Sequence, residues 1–422
     1  MRLAILCVTI GLLLAISATA ESREMRRVDE RRAGQVGIRK IVGRHLRLYT
    51  DVPASNGVDE LPLVFDAAVE QWAAYFGVKP QQVANWQMQG FLIRDREKFV
   101  ALKLMPETRS DFVNGYAQGD ELWLMDQPSD YYRRHLLLHE GTHGFMYSQL
   151  GGAGAGWYME GVAELLGTHR WEDAKLTLGV MPANRRAVPM WGRSKLVRDA
   201  YRAGNALGLG DVMAINAREV MSTEKYAWCW AMCRFLDSHL QLGEQFRELP
   251  KVADDPKFDL RFRRMFGRDW EDLGFEWEAF LAALDYGYDA RRMTMVHRPA
   301  EKIRKEETVT VAADRGWQST GWKLQAGQSY RVTASGRYQI AEREEPWPCE
   351  PGGVTLQYHE GRPLGMLLGL LRVDGDLQEP VPIGLQTILK PESDAILYLR
   401  VNDSPAWLFD NQGSLDVSIV KE

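Results

Sequence analysis

The apolar pattern of this 422-residue chain changes from helical to strand-like near residue 290, and this change constrains the fold more than any other feature. From 131 to 284 apolar residues recur at helical spacing, whereas beyond 306 short alternating runs are separated by Gly, Pro and Asn. The chain is also longer than one hydrophobic core usually serves. We therefore expect two folded units, joined by a charged linker over 289–306.

The first unit, over 45–288, combines strands with helices, and the second, over 307–422, contains strands alone. In the first, the patterns predict strands over 45–52, 87–94 and 121–125, and helices over 61–76, 194–204, 224–239 and 269–284. In the second they predict strands over 308–311, 329–334, 396–401 and 415–420. The expected fold class is therefore multidomain: an α+β unit with a small mixed sheet and a helical lobe, then an all-β sandwich of the jelly-roll kind.

The N-terminus has the pattern of an export signal. Arg2 precedes an apolar run over 3–16, and the small residues at 18–20 form a cleavage pattern, so 1–20 is predicted to be a signal peptide. The apolar run is short for a full span, so we favour cleavage over the alternative of an uncleaved anchor, and we expect no membrane span after cleavage. These features predict a secreted or extracytoplasmic protein, with 21–44 as a charged, solvated lead-in.

Two histidines one helical turn apart carry the strongest chemical signal. His139, Glu140 and His143 form an intact HExxH. On a helix, positions i and i+4 share one face, so both imidazoles can occupy corners of a zinc tetrahedron. Glu140 then falls beside the open corner, where it can take a proton from zinc-bound water. The motif therefore predicts Zn²⁺ as cofactor and hydrolysis of a peptide or protein substrate.

A third ligand is needed, and the segment after the small-residue stretch 151–156 offers Glu160 and Glu164. We favour Glu160. Glu164 lies one turn further along the same face, where it can accept the other ring N–H of a ligand histidine. Alternatively both are solvated helix residues, although their apolar surroundings favour partners for buried carboxylates.

Other histidines lie near the motif. His135 shares the face of His139 and His143 but lies about 12 Å of rise from His143, too far for a ligand beside both. We interpret it as a packed or supporting histidine, and His169 as a histidine at a helix end. A chance HExxH is the remaining alternative, and a nearby acid on a second apolar helix makes it rarer.

The stretches 139–143 (HExxH) and 157–164 (W-x-x-E-G-x-A-E) resemble the motifs of gluzincin zinc metallopeptidases, specifically the compact peptidase-MA-like branch. The resemblance spans about 45–285. It implies that Glu160 is the third zinc ligand and that Glu164 braces a ligand histidine.

The same resemblance implies a donor to the oxyanion, which gluzincins supply as Tyr or His. Tyr226 resembles the tyrosine that opens a later helix in family members, whereas a packed aromatic at a helix start is the alternative. Tyr158 and His239 are weaker candidates. The family also implies that the strand over 121–125 hydrogen-bonds an extended substrate.

Four motifs over 316–420 resemble the PA-I-type galactophilic lectin β-sandwich. They are WQSTGW (317–322), ASGRY (334–338), PLGMLLG (363–369) and NDSPAWLFDNQGS (402–414). In that family one calcium is held by an aspartate, a main-chain carbonyl four residues later, and two side-chain oxygens at seven and eight residues. The offsets imply a Ca²⁺ site at Asp403, Trp407, Asp410 and Asn411. An Asx-rich turn between strands is the alternative.

The family's galactose-binding residues are not recognisable around 347–352, so a glycan ligand is implied only in general. A carbohydrate-binding module on a secreted hydrolase would raise the local substrate concentration.

Composition excludes other classes. The net charge of −5 and the lack of a basic run interleaved with aromatics exclude a nucleic-acid binder. Cys229, Cys233 and Cys349 follow the signal, and this odd number forbids complete disulfide pairing. We expect Cys229 and Cys233 to be core residues.

Two hypotheses therefore stand. The first is a secreted zinc peptidase with a C-terminal glycan-binding module. The second is a catalytically inactive carbohydrate-binding or adhesive protein that keeps a peptidase-like scaffold. Glu140 favours the first, because a scaffold has no need of a general base.

Overall fold

The computed structural model describes residues 25–107, 109, 111–216, 222–267, 270–374 and 376–422. The predicted signal peptide and the first four residues of the lead-in lie outside these ranges. Within the ranges, no helix combines the length and the apolar character that crossing a bilayer requires.

Helices dominate the first two thirds of the described chain and strands the last third. The helices are α1 (Glu30–Gln35), α2 (Asn56–Asp59), α3 (Leu61–Phe76), α4 (Pro80–Val83), α5 (Arg96–Ala101), α6 (Asp130–Phe145), α7 (Gly156–Gly167), α8 (Arg193–Arg202), α9 (Leu209–Met213), α10 (Thr223–Ser238), α11 (Gly243–Phe246), α12 (Phe258–Phe266), α13 (Trp270–Ala283) and α14 (Ala290–Met293). The strands of the first unit are β1 (Arg39–Val42), β2 (Leu46–Thr50), β3 (Met88–Ile93), β4 (Gly115–Gln118), β5 (Glu121–Met125), β6 (His169–Glu172) and β7 (Lys175–Leu178). Those that follow are β8 (Glu301–Lys302), β9 (Glu306–Ala312), β10 (Gln318–Leu324), β11 (Tyr330–Ser335), β12 (Tyr338–Glu342), β13 (Pro346–Cys349), β14 (Val354–His359), β15 (Arg362–Leu364), β16 (Leu367–Val373), β17 (Asp376–Leu377), β18 (Val381–Pro382), β19 (Gln386–Leu389), β20 (Ala395–Val401) and β21 (Ser414–Lys421).

The first unit is built on a five-stranded mixed sheet in the order β1-β2-β3-β5-β4. The inner strands β2, β3 and β5 are parallel, and β1 and β4 pair antiparallel at the two sides. Apolar residues of α3 and α6 share one core with the sheet, and Ala33 of α1 and Phe99 of α5 share a second core with Phe91 and Trp123. Helices together with several sheets confirm the predicted multidomain α+β character.

Two expectations about this sheet are wrong. The lead-in is not merely solvated, because 30–42 carries α1 and β1, and β1 pairs with β2. The side chains of β1 are alternately half-buried and exposed, and none is fully buried. The alternation of this short strand is therefore difficult to recognise within the charged sequence around it. The strand over 121–125 cannot pair with a substrate as implied, because β5 lies between β3 and β4. The outermost strand on that side is β4.

The all-β C-terminal region is confirmed. One sheet runs β17-β16-β20-β10-β8 with β18 beside β16, and a second runs β19-β11-β21-β9. Apolar residues from both sheets, including Leu399 of β20 and Val417 of β21, form one shared core. The expected linker also packs, because Met293, Met295 and Ile303 are buried.

A hydrogen-bonded chain of side chains joins the two units. Glu276 of α13 lies 3.0 Å from His239 Nε2 and 2.8 Å from His297 Nε2, and it accepts the Met295 N–H. The other ring nitrogen of His297 lies 2.9 Å from the Tyr398 hydroxyl in β20. Two backbone N–H groups donate to His239 Nδ1, so the proton of that ring lies on Nε2 and is donated to Glu276.

We expect Glu276→Gln to lower the free energy of unfolding by about 2–4 kcal/mol at pH 7, because two charge-assisted hydrogen bonds weaken in a buried site. Burial raises the pKa of Glu276, but hydrogen bonds from His239 and His297 outweigh it and leave the pKa below its usual value. A lowered pKa stabilises the fold above the unfolded value of about 4.3, and this contribution is lost as pH falls through the folded pKa.

The difference between wild type and Glu276→Gln in urea unfolding should therefore be full at pH 7 and shrink below about pH 4. Glu271→Gln, on the exposed side of the same helix, is the control and should change stability by less than about 1 kcal/mol. A difference that stays constant from pH 7 to pH 3 would contradict this account of Glu276.

Candidate metal centre

Helix α6 carries the HExxH residues against the sheet. The Ser129 side chain caps its start by accepting the Tyr132 N–H, and Asp130 in the first turn suits the positive end of the helix dipole. A Cβ atom at Gly141 would lie 2.6 Å from the Trp72 ring, so the small residue inside the motif lets α6 approach α3 closely. This packing turns the histidine face towards α7.

The connection from α6 to α7 is compact and anchored. A π-helical turn, Met146–Leu150, ends at Gly151, whose φ of +74° is accessible to glycine without strain. The Gly154 N–H donates to the Ala253 carbonyl (2.8 Å), and Trp157 Nε1 donates to Asp259 of α12 (2.8 Å). These contacts fix where α7 begins and hence where Glu160 lies.

Three of the predicted residues meet at one point. His139 Nε2 and His143 Nε2 lie 3.1 Å apart, and each lies 3.2 Å from Glu160 Oε2. The three residues are buried, with exposed fractions of 5%, 8% and 7%. Burial raises the pKa of Glu160, but the two imidazoles outweigh burial and lower that pKa to about 2, so the carboxylate is ionised as a ligand must be.

The triangle of these atoms fits zinc. A tetrahedral ion with bonds of about 2.0–2.1 Å has ligand-to-ligand edges of about 3.3–3.4 Å, close to the observed separations. Glu160 Oε2 is buried and has no hydrogen-bond partner among the described residues. A buried, ionised oxygen without a donor is costly unless a cation satisfies it. His139, His143 and Glu160 therefore suit a metal ion, and their separations are compatible with zinc.

Glu140 lies on the same helix, buried beside these ligands. A Cβ atom at position 115 would collide with its carboxylate, so the backbone of β4 passes directly over Glu140 at Gly115. Burial raises the pKa of Glu140 to about 8, the carboxylates of Glu160 and Glu164 add to this, and His143 opposes it. At this pKa the metal-free carboxyl is mostly protonated at pH 7, and a cation held by the neighbouring ligands would favour the ionised form that a general base needs.

Glu164 has a partner that the sequence did not indicate. Its Oε1 lies 3.6 Å from His139 Nδ1, on the side predicted for a brace. Arg193, the first residue of α8, donates to both oxygens, with Nε to Oε2 at 3.0 Å and Nη2 to Oε1 at 2.9 Å. Burial raises the pKa of Glu164, but Arg193 and then His135 outweigh it and hold the pKa well below its usual range.

A second group could also gather around a cation. His135, His139 and Glu164 offer ligand atoms within 4.8 Å of one another. Arg193 already engages both Glu164 oxygens, and its positive charge opposes a metal ion at this point. The group containing Glu160 is therefore the better metal site.

Of the remaining candidate residues, Tyr226 lies beside the metal centre and the others lie elsewhere. The Tyr226 ring lies 5.9 Å from the His139 ring at an interplanar angle of 74°, beside the metal centre. Tyr158 is buried among aromatic rings, and His239 bonds Glu276 in the interdomain chain. His169 begins β6, two residues past the end of α7, and its Nδ1 lies 2.9 Å from the carbonyl of Gly167, the last residue of that helix.

The residues implied for calcium form a second cluster of buried oxygens. Asp403 Oδ2, Asp410 Oδ1 and Asn411 Oδ1 are each buried without a hydrogen-bond partner in the part of the chain that the structure describes. Burial raises the pKa of Asp403 to about 6, and the Asp410 carboxylate contributes. The Trp407 carbonyl accepts the Asp410 N–H at 3.3 Å. Hard oxygen atoms in this environment suit a calcium ion.

Comparison with known proteins gives little further constraint. No protein-family model matches the chain, and no curated protein matches it. Among solved structures, the EclA N-terminal domain, a PllA-like lectin, is 23% identical over 27% of this chain and 95% of that chain, with a TM-score of 0.22. PliG from Aeromonas hydrophila, a periplasmic inhibitor of g-type lysozyme, is 11% identical over 31% of this chain and 98% of its own, with a TM-score of 0.17. At such TM-scores these likenesses carry no argument about function.

Proposed function

We propose that this protein is a zinc-dependent peptidase of the gluzincin type, acting outside the cytoplasm. One observation carries the proposal. Glu160 Oε2, which has no hydrogen-bond partner within the described part of the chain, lies 3.2 Å from both histidine Nε2 atoms, and Glu140 is buried next to these histidines on the same helix. A metal site that only stabilises the fold would need the three ligands but would not need a general base beside them.

Each side chain then has a defined task. His139, His143 and Glu160 hold the ion, and zinc, when bound, polarises the scissile carbonyl and acidifies water. Glu140 accepts the proton of the attacking water and later delivers it to the leaving nitrogen. Burial raises the pKa of Tyr226, and the Glu160 and Glu140 carboxylates raise it further, so its phenol stays protonated and can donate to the oxyanion.

The outermost strand supports a path for the substrate. Because β4 passes over Glu140 at Gly115, an extended peptide lying along β4 would bring its backbone to the general base. In this proposal β4 takes the role that the family resemblance implied for β5.

Metal analysis together with turnover tests the proposal. The purified chain should contain one zinc ion at the candidate centre and cleave an unfolded protein, and a chelator should abolish cleavage until zinc is restored. Bound zinc without turnover on any peptide pool would favour the inactive carbohydrate-binding or adhesive scaffold.

A second activity is proposed for the C-terminal unit, namely calcium-dependent glycan binding. Trp407 and Phe409 follow Asp403 in the same segment as Asp410 and Asn411. These two aromatic residues are 58% and 56% exposed, and their ring centroids lie 5.6 Å apart. Exposed aromatic faces beside a calcium ion are suited to holding a sugar ring.

Calcium should stabilise this unit. Saturating calcium added to chelated protein is expected to raise the melting temperature of the C-terminal unit by about 5–10 °C, because ligand binding at about 100 Kd contributes about 2.7 kcal/mol. Asp403→Asn should remove this response, whereas Asp374→Asn, at an exposed turn, should retain it. Scanning calorimetry measures both shifts.

The pH dependence has a defined sign. Since the folded pKa of Asp403 is raised to about 6, its contribution to stability is present below the unfolded pKa and is lost as pH rises through about 6 without calcium. Calcium should cancel that loss, and an equal loss with and without calcium would contradict the site.

A further inference from the structure

Arg193 touches two different parts of the metal centre, although it lies in α8, outside both motif helices. We propose that Arg193 is a positioning residue that aligns His139, through Glu164, and the Tyr226 ring at the same time. The inference rests on the proposed zinc peptidase function. It identifies one side chain that fixes the positions of both a metal ligand and the proposed oxyanion donor.

The contact with Glu164 fixes the plane of a carboxylate. Two nearly parallel bonds, Nε to Oε2 at 3.0 Å and Nη2 to Oε1 at 2.9 Å, join two side chains that are both buried. A bidentate guanidinium prevents the rotation that a single hydrogen bond would allow. Glu164 Oε1 is thereby held 3.6 Å from His139 Nδ1, while His135 Nε2 lies 3.4 Å from Oε2 on the other side.

This carboxylate lies beside the first ligand, with Oε1 3.6 Å from His139 Nδ1, just beyond hydrogen-bond distance, so in this proposal it orients the ring by electrostatic attraction. His139 Nε2 faces Glu160, so the opposite nitrogen, Nδ1, is the only other polar atom by which the ring can be turned. Partners at the second nitrogen of a ligand histidine set its tautomer and ring angle. Arg193 therefore acts on the metal site through Glu164 without contacting a ligand atom.

The contact with Tyr226 holds the proposed oxyanion donor. The Arg193 guanidinium carbon lies 6.0 Å from the centroid of the Tyr226 ring, and that centroid lies 5.9 Å from the His139 ring. A cation near an aromatic face stabilises the position of the ring. Tyr226 lies in the first turn of α10, so its hydroxyl depends on side-chain contacts for its aim.

The test compares Arg193→Lys with Arg198→Lys on the full-length chain. Lysine keeps the positive charge but loses the bidentate fork and the planar face. Arg198 lies on the same helix, is half-buried and pairs with the exposed Asp285, away from Glu164 and Tyr226, so it is the matched control. We expect Arg193→Lys to weaken zinc affinity by about 10–100-fold in competition with a chelator and to lower kcat by a similar factor with little change in KM. Arg198→Lys should match wild type in zinc affinity, kcat and KM.

A neutral pair separates positioning from folding. Arg193→Met alone leaves a buried carboxylate without its partner and is expected to unfold easily, whereas Arg193→Met combined with Glu164→Gln removes both charges and should fold. If Arg193 also aims Tyr226, this double variant should have a kcat at least about 5-fold below that of Glu164→Gln. In a Tyr226→Phe background the same difference should vanish.

Each result has a defined meaning. Wild-type zinc affinity and kcat in Arg193→Lys would overturn the inference, and a double variant equal to Glu164→Gln would overturn its Tyr226 part. Wild type that binds zinc but cleaves nothing would instead defeat the proposed peptidase function, while the ratio of zinc affinities would still decide the positioning of His139. A wild-type chain that binds no zinc would overturn both.

Discussion

Replacing Glu140 by Gln is expected to lower kcat by at least about 10³-fold while zinc remains bound. Glutamine has the same shape but cannot accept a proton, so the attacking water loses its base. The three ligand side chains, His139, His143 and Glu160, are unchanged, and metal content should stay at the wild-type level. Single-turnover cleavage of an unfolded protein, measured beside zinc stoichiometry, separates the two effects.

The same substitution should not destabilise the fold. Burial raises the pKa of Glu140 to about 8, so ionising this side chain in the metal-free protein is unfavourable. A neutral amide removes that penalty, and the melting temperature of the metal-free variant should equal or exceed that of wild type. Glu97→Gln, exposed in α5, is the control and should change neither activity nor stability.

Two outcomes would contradict the role of Glu140. Activity above about one tenth of wild type would show that the attack does not use this carboxylate. Loss of zinc together with activity would show that Glu140 supports the ligands, so that the base must be sought elsewhere.

The sequence predicted the parts of this centre that depend on local geometry. The spacing of His139 and His143 fixes their shared face on any helix, and an acid in an apolar helical segment such as Glu160 needs a partner. The helix predicted over 61–76 is α3, Leu61–Phe76, because its apolar face recurs over four turns. These properties require no knowledge of distant residues.

Arg193 could not be predicted in this way. It pairs with Glu164 across 29 positions. Arg198 of the same amphipathic helix looks equivalent in sequence, although it is half-buried and its partner, Asp285, is exposed. Whether an arginine is buried against a carboxylate depends on how α8 packs, which the local pattern does not contain.

The order of strands in the sheet could not be predicted either, because it also depends on contacts between distant segments. The sequence predicted a strand over 121–125 but gave no indication that β4 lies outside it. Likewise β1 has half its side chains exposed, and it becomes a strand because β2 offers a partner. Pairing between distant segments decides which strand ends a sheet, and local alternation does not report it.

A methyl group at Gly161 is expected to disrupt both the fold and the metal centre. A Cβ atom there would collide with Cys233 Sγ and lie 2.5 Å from the Cys229 carbonyl oxygen, so α7 and α10 would have to separate. Overpacking against backbone is expected to destabilise by about 3 kcal/mol, more than the roughly 1 kcal/mol that alanine gains over glycine in a helix. Because Glu160 directly precedes Gly161, the shift also moves the carboxylate away from the two histidines.

Gly161→Ala should therefore unfold at lower urea concentration and bind zinc at least about 10-fold more weakly in chelator competition. Gly274→Ala is the matched control, since a Cβ atom there meets no atom within 4 Å in the middle of α13. It should stabilise the protein by about 0.5–1 kcal/mol and leave zinc affinity unchanged. If Gly161→Ala is as stable as Gly274→Ala and retains full zinc affinity, close contact between α7 and α10 does not hold Glu160 in place, and the site must tolerate more movement than its buried triangle of ligand atoms implies.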